Sequence, residues 1–178
     1  MPNSTIITSP RDSSTHALET IDYAHHEIHS GSSFVVTDVQ SVSTTTQKWM
    51  VTTPNTTKWA HMIFNIECTG ELLAVVTEGA DRTGTTGLTE INRNRNSGGA
   101  ATVAVHRDVS SGTTDGAVTM GSVRSGATGV GSKTISAGGS RGTNEFVLRQ
   151  NTKYVVSVTT YAAVFVTLRL DWYEHTNK

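Results

Sequence analysis

The sequence predicts an all-β fold: an antiparallel β-sandwich, jelly-roll-like, carrying an extended N-terminal arm. Three observations predict it. Hydrophobic residues make up 35% and charged residues 16% of the 178, and Thr, Ser, Gly and Asn fill the difference; Thr suits pleated strands, while Gly, Asn and Ser suit turns. Strand-length segments with apolar–polar alternation recur along the chain, divided by turn residues. No stretch carries a convincing helical period, which argues against a βαβ fold. The length suits one domain plus an arm. The arm is placed at 1–20 and the sandwich at 21–178, with long Gly/Ser-rich loops at 79–101 and 110–142.

Residues 1–20 are polar and rich in Ser and Thr, with Pro2 and Pro10 as breakers. They read as an unstructured terminus or as an arm that adds a strand to a neighbouring subunit. Thr5-Ile6-Ile7-Thr8 is β-prone, so Ile6 and Ile7 are interface candidates. Residues 16–22 are too short and too polar for a helix. The first strand covers about 34–42. Phe34 and Val36 fall out of step with Val39 and Val42, which predicts a bend or bulge near Asp38. A second strand, about 47–53, stops at Pro54-Asn55. A third, about 58–69, places Met62, Phe64, Ile66 and Cys68 on one face and His61, Asn65 and Glu67 on the other. The fourth, 72–77, is apolar on both faces and is expected to be central.

Residues 79–101 form a long excursion around Asn92-Arg93-Asn94-Arg95-Asn96, followed by a strand at 102–107. The 110–142 segment has spaced apolar residues (Val118, Met120, Val123, Val130, Ile135) and reads as a surface loop holding one or two weak strands. Loops of that length are usually functional or packed on a partner. Strands follow at 144–149 and 153–161. Residues 163–173 then alternate without a fault, with Val164, Val166, Leu168, Leu170 and Trp172 on one face, over about 35 Å. The total is roughly eight strands.

Net charge is −1, which argues against a protein that grips nucleic acid through phosphates. No apolar run approaches a membrane span, and no signal peptide is visible. Neither nucleic acid nor membrane is therefore an expected partner. The single cysteine, Cys68, allows no intrachain disulfide and is expected to pack as a small apolar residue.

The densest ionisable cluster is Tyr23-Ala24-His25-His26-Glu27-Ile28-His29-Ser30-Gly31-Ser32-Ser33-Phe34, with three of the seven histidines. If extended, it puts His25, Glu27 and His29 on one face, the start of a facial metal triad. The spacing fits neither a zincin nor a cupin pattern. The plainer reading has these groups capping turns where the arm meets the domain. No nucleophile elbow and no phosphate loop is present. No catalytic residue, metal or cofactor is assigned. The 92–96 run reads as a solvated loop with Asn side chains in local turn bonds, or as an anion or partner site. Trp49, Trp59 and Trp172 could form a sugar-stacking platform, but core or interface anchoring suits them better.

Residues His25 to Phe34 resemble the opening motif of small virion structural proteins of tailed bacteriophages. The Asn-Arg-Asn-Arg-Asn-Ser run at 92–97 looks like their mid-chain signature, and Asp171-Trp172-Tyr173-Glu174-His175 is similar to their C-terminal strand. The matches fall in order and span most of 23–175. The resemblance implies a capsid decoration (cement) protein, a β-rich homotrimer made in a bacterial cytoplasm that binds the major capsid protein on the virion exterior. It implies no catalytic residues. His25, His26, Glu27, His29, Gly31, Phe34, Trp172 and Tyr173 are then a structural motif, and Arg93, Asn94 and Arg95 join Ile6 and Ile7 as interface candidates. The alternatives are a receptor- or glycan-binding tail or fibre module and a metal-dependent enzyme using His25, Glu27 and His29.

Overall fold

A computed structural model describes residues 23–110, 112–126, 135–137 and 144–176. The arm, with Ile6 and Ile7, and parts of the 110–142 segment lie outside the described residues. One helix and twelve strands are present among them: α1 (Tyr23–His29), β1 (Ser33–Ser43), β2 (Thr46–Thr52), β3 (Lys58–Cys68), β4 (Leu72–Glu78), β5 (Thr83–Gly87), β6 (Ile91–Asn92), β7 (Ala104–Ser110), β8 (Val118–Ser125), β9 (Ile135–Ala137), β10 (Phe146–Val147), β11 (Lys153–Thr160) and β12 (Ala163–Thr176). The expectation of about eight strands and no helix is corrected on both counts. The extra strands lie inside the two long loops: β5, β6 and β9 have two to five residues and give no readable alternation, and the eight residues of β8 carry too few apolar groups to show one.

The strands form two antiparallel sheets that pack face to face. One runs β10-β3-β12-β1-β6, with β9 also on β3; the other runs β5-β7-β2-β11-β4-β8. β9 and β10 pair with opposite ends of β3 and act as one broken edge strand. Counted that way, β1, β2, β3, β4, β8, β9/β10, β11 and β12 are eight strands arranged 1-8-3-6 in one sheet and 2-7-4-5 in the other. That is jelly-roll connectivity. The 79–110 excursion adds β5 and β7 beside β2 and β6 beside β1. β4 is flanked on both sides, as its two apolar faces predict.

The core lies between the sheets. Val164, Val166, Leu168, Leu170 and Trp172 of β12 all point into it. They meet Phe34, Val36 and Val42 of β1, Met62, Ile66 and Cys68 of β3, and Trp49, Val51, Leu72, Val105, Tyr154, Val156 and Val158 of the facing sheet. Each large aliphatic or aromatic side chain buried this way is worth about 1.5–3 kcal/mol. Tyr154 ends at the core boundary, where its hydroxyl accepts the Arg149 amide at 2.7 Å. Burial pushes its phenol up to about 12.

β1 pairs with β12 from Ser33↔Tyr173 to Ser43↔Ala163 without a slip. The bulge expected near Asp38 is therefore absent. Strict alternation instead turns Asp38 inward, in line with Phe34, Val36 and Val42, and turns Val39 out, 55% exposed. The buried carboxylate is satisfied: Oδ2 accepts the Trp49 indole N–H at 2.7 Å, and Oδ1 accepts Arg107 at 3.1 Å and Gln40 at 3.0 Å. Trp49 and Arg107 belong to the other sheet, so Asp38 ties the two layers together.

The sheet edges are irregular. β8 shifts register against β4 between Val76 and Thr77. β5 holds five residues, two of them Gly, and β6 holds two residues. Val39 and Phe165 form a diagonal apolar pair on the outer face of the β1–β12 pair, beside the stretch of β1 that β6 does not cover. No helix among the described residues is long and apolar enough to cross a membrane.

The two long loops are locked to each other beside β4. Asp81 accepts the Thr113 amide at 3.0 Å, the Thr113 hydroxyl at 2.8 Å and the Thr114 amide at 2.8 Å. Asp115 accepts Lys48 at 2.6 Å and Arg82 at 2.7 Å.

Two outcomes are expected. Asp38→Ala leaves the Trp49 N–H and the Arg107 guanidinium without their shared acceptor and costs about 2–3 kcal/mol. Urea unfolding followed by Trp fluorescence measures it, and a loss under about 0.5 kcal/mol would contradict the role given to Asp38. The amides of Thr113 and Thr114, with the Thr113 hydroxyl, hold Asp81 down to about 2 from an ordinary 3.8. A depressed carboxyl contributes stability above its unfolded value and loses it as pH falls toward the folded one. The contribution of Asp81 to the 81–114 lock should thus be complete above about pH 4 and decline as pH falls from 4 to 2. Carboxyl NMR titration should show a midpoint near 2, with faster amide exchange at Thr113 and Thr114 over that range. A midpoint near 3.8 would show that the lock does not form.

Candidate functional site

Two pairings bring the three singled-out segments together. β6 pairs with β1 at Phe34↔Asn92 and Val35↔Ile91. β1 pairs with β12 at Ser33↔Tyr173 and Phe34↔Trp172. Residues 23–34, 92–97 and 171–175 therefore meet at one end of one sheet. There Phe34 and Trp172 pack as buried rings with centroids 5.8 Å apart.

The first segment is helical, which corrects the extended reading that put His25, Glu27 and His29 on one face. α1 is seven residues long. It ends where the Gly31 amide bonds the Ile28 carbonyl at 3.1 Å and the Ser32 amide bonds the Glu27 carbonyl at 3.1 Å, a Schellman closure. Gly31 supplies the left-handed residue, at φ 76°. A Cβ there would sit 2.3 Å from Ser97 Oγ, so the turn and the 92–97 loop exclude any larger residue. Isolated helices this short are unstable in water, so tertiary contacts hold this one. In a helix, Glu27 departs from His25 and His29. Its carboxylate is buried and accepts the Ser32 hydroxyl. His26 lies beside Glu27 at 3.5 Å, while His25 and His29 stack four residues apart on the exposed face.

The 92–97 loop clamps this turn. Asn92 is buried; its Nδ2 donates to the carbonyls of Gly31 at 2.8 Å and Gly99 at 2.9 Å. Asn94 Nδ2 donates to the His29 carbonyl at 3.0 Å. Asn92 Oδ1 accepts the Asn94 amide, and Asn94 Oδ1 accepts the Asn96 amide, the local turn bonds expected of this run. The Arg93 amide donates to Ser33 at 2.9 Å and its guanidinium pairs with Asp171. Of the interface candidates in this loop, Arg93 and Asn94 are thus engaged within the chain, and Arg95 is exposed, with a single long contact of 3.5 Å to the Asn92 carbonyl.

The third segment supplies the acceptors. Asp171 also receives Arg169 at 2.8 Å and Asn65 at 3.3 Å. The Glu174 amide bonds the Ser32 carbonyl at 2.9 Å. The buried Glu174 carboxylate takes four donors: the Thr102 amide at 2.9 Å, the Thr102 hydroxyl at 2.6 Å, the Val103 amide at 3.1 Å and the Trp172 indole at 2.9 Å. Sequence reasoning missed Glu174, although the signal was present: it continues the inward series after Leu170 and Trp172. Tyr173 is buried on the outer face. Its hydroxyl meets His61 Nδ1 at 3.1 Å, and His61 Nε2 meets His175 Nε2 at 2.9 Å. Glu145 closes on His61 at 3.1 Å.

Two further sequence candidates separate. Trp49 and Trp172 are in the core, whereas Trp59 is 39% exposed. Trp59 lines a surface groove of about 320 Å³ with Val147, Leu148, Arg149 and Gln150. A platform of all three tryptophans is ruled out. Cys68 is buried, as expected for an apolar role. Among the described residues, no group of three or more His, Cys, Asp or Glu side chains is placed to hold a metal ion.

Fold and cluster define a class: a jelly-roll β-sandwich whose ionisable groups at one end are engaged in holding three distant segments together. No family model, curated protein or solved structure matches the chain.

Glu174→Gln puts an amide N–H₂ where the pocket offers donors and leaves at least one buried N–H unmatched, at a cost of about 2–3 kcal/mol. Glu67→Gln, on an exposed position of the same sheet, should change stability by under about 0.5 kcal/mol. Denaturant midpoints compare the two, and equal midpoints would contradict the role of Glu174.

Proposed function

We propose that the protein is a non-enzymatic virion component that binds and stabilises a capsid shell as a decoration protein. One observation carries this reading. The three segments that resemble phage virion proteins are far apart in sequence, yet they interlock through Asn92, Asn94, Arg93, Asp171 and Glu174. A motif whose polar groups bond one another is suited to building a rigid module rather than to turning over a substrate. Jelly rolls recur in viral capsid and lectin domains, which is compatible with the same reading. The partner is the major capsid protein on the shell exterior, and the protein acts as an oligomer, with a trimer favoured.

The test is sedimentation of the purified chain with expanded heads, followed by cryo-electron microscopy. Density on the outer shell is expected. A chain lacking residues 1–20 should stay folded and bind more weakly; unchanged binding would remove the arm from the mechanism, and no binding by the full chain would overturn the reading.

A second reading, a glycan- or receptor-binding tail module, is favoured by the half-exposed Trp59 and its groove. Arg149 and Gln150 supply polar groups beside an aromatic face there, although Arg149 also pairs with Glu78 at 3.2 Å. Hits on a glycan array that vanish in Trp59→Ala would favour it over the capsid reading.

A further inference from the structure

Apart from the virion reading, we propose that His25 and His29 form a two-histidine chelate for a divalent transition metal that prefers tetragonal coordination, copper(II) or nickel(II). The two residues are four apart on α1 and so share one face. Both are exposed, their ring centroids lie 4.6 Å apart and the rings are tilted by 44°. Their Nε2 atoms approach to 2.8 Å. At that distance one nitrogen donates a proton and the other offers its lone pair. A metal ion replaces this shared proton and takes both lone pairs.

The spacing selects the geometry. With metal–nitrogen bonds of about 2.0 Å, nitrogens about 2.8 Å apart subtend roughly 90° at the metal. Adjacent positions of a square-planar or tetragonal site have that angle, the arrangement of copper(II) and nickel(II). Copper(II) also stands highest in the general affinity order.

The chelate is held ready from below. The His29 carbonyl is tied to Asn94, and the helix end is closed at Gly31 against Ser97. The pair therefore does not depend on an isolated helical turn. Among the described residues, the neighbouring ionisable groups Glu27 and His26 stand apart from it. Glu27 is turned inward to Ser32, and His26 lies beside Glu27.

The test uses the full chain, freed of metal with a chelator and titrated with Cu²⁺ and, separately, Ni²⁺. The α1 pair should take one equivalent, and its copper form should give a tetragonal electron-paramagnetic-resonance spectrum with coupling to two imidazole nitrogens. Each of His25→Ala and His29→Ala should weaken this binding by at least about tenfold, since a lost ligand costs no less than an outer-shell change. Ala favours helix, so both variants should keep the wild-type circular dichroism. His26→Ala should bind as the parent does, and His175→Ala should leave the α1 site intact even if it removes a second equivalent held by His61 and His175, whose Nε2 atoms lie 2.9 Å apart. Unaltered affinity in His25→Ala, or an equal loss in His175→Ala, would overturn the assignment; so would a tetrahedral spectrum.

Discussion

The unbroken ladder between β1 and β12 is the constraint on which the rest of the molecule depends. Side chains alternate with period two, so a slip of one residue would exchange the two faces of a strand. With the register running from Ser33↔Tyr173 to Ser43↔Ala163, Phe34 faces Trp172 and Asp38 points between the sheets. Ser32 also comes within bonding distance of Glu174. β3 adds a second full-length ladder on the other side of β12, from Lys58↔Thr176 to Cys68↔Val166. β12 is thus paired along both edges and apolar on its inner face. It is the stave on which one sheet is built, and its two inward carboxylate neighbourhoods, at Asp38 and Glu174, set how the facing elements attach.

These two carboxylates show one principle at different places. A buried charge is costly unless donors surround it. Asp38 draws an indole and a guanidinium from the opposite sheet; Glu174 draws a hydroxyl and two amides from the chain leading into β7 and the Trp172 indole of its own strand. In each case the acid specifies geometry that hydrophobic packing alone would leave loose. Apolar contact is indifferent to rotation, whereas a carboxylate with several donors admits few arrangements. The cluster at the end of the sheet is therefore better understood as alignment than as reactivity.

The parts of the fold legible in the sequence were those governed by local alternation. The inward series of β12, the core face of β3, the apolar faces of β4 and the burial of Cys68 follow from period two and residue type. Asp38 was misread because a charge in an apolar series looks like a break, although Phe34, Val36, Asp38 and Val42 keep one period. The helical state of α1 was not legible at all. Seven residues rich in His have little intrinsic reason to coil, and their conformation is imposed by the Gly31 closure and by Asn92 and Asn94 some sixty residues away. Nothing local announces such a contact. The same distance explains why Arg93 looked like an outward group: its partner, Asp171, is 78 residues further on.

The irregular edges noted for β8, β5, β6 and β9/β10 bear on the molecule's behaviour in crowded solution. A long flat edge strand is a template for endless addition of further strands. Here β5, β6, β8 and β9/β10 are short, interrupted or shifted in register, whereas β1 beyond Val35 has no outer partner among the described residues. The exposed apolar pair, Val39 and Phe165, lies on the outer face of the β1–β12 pair. Association through such a patch joins face to face and closes once the patches are covered, whereas an edge would propagate. The irregular margins therefore offer little template, and the outer edge of β1 from Val36 to Ser43 is where a further strand would add.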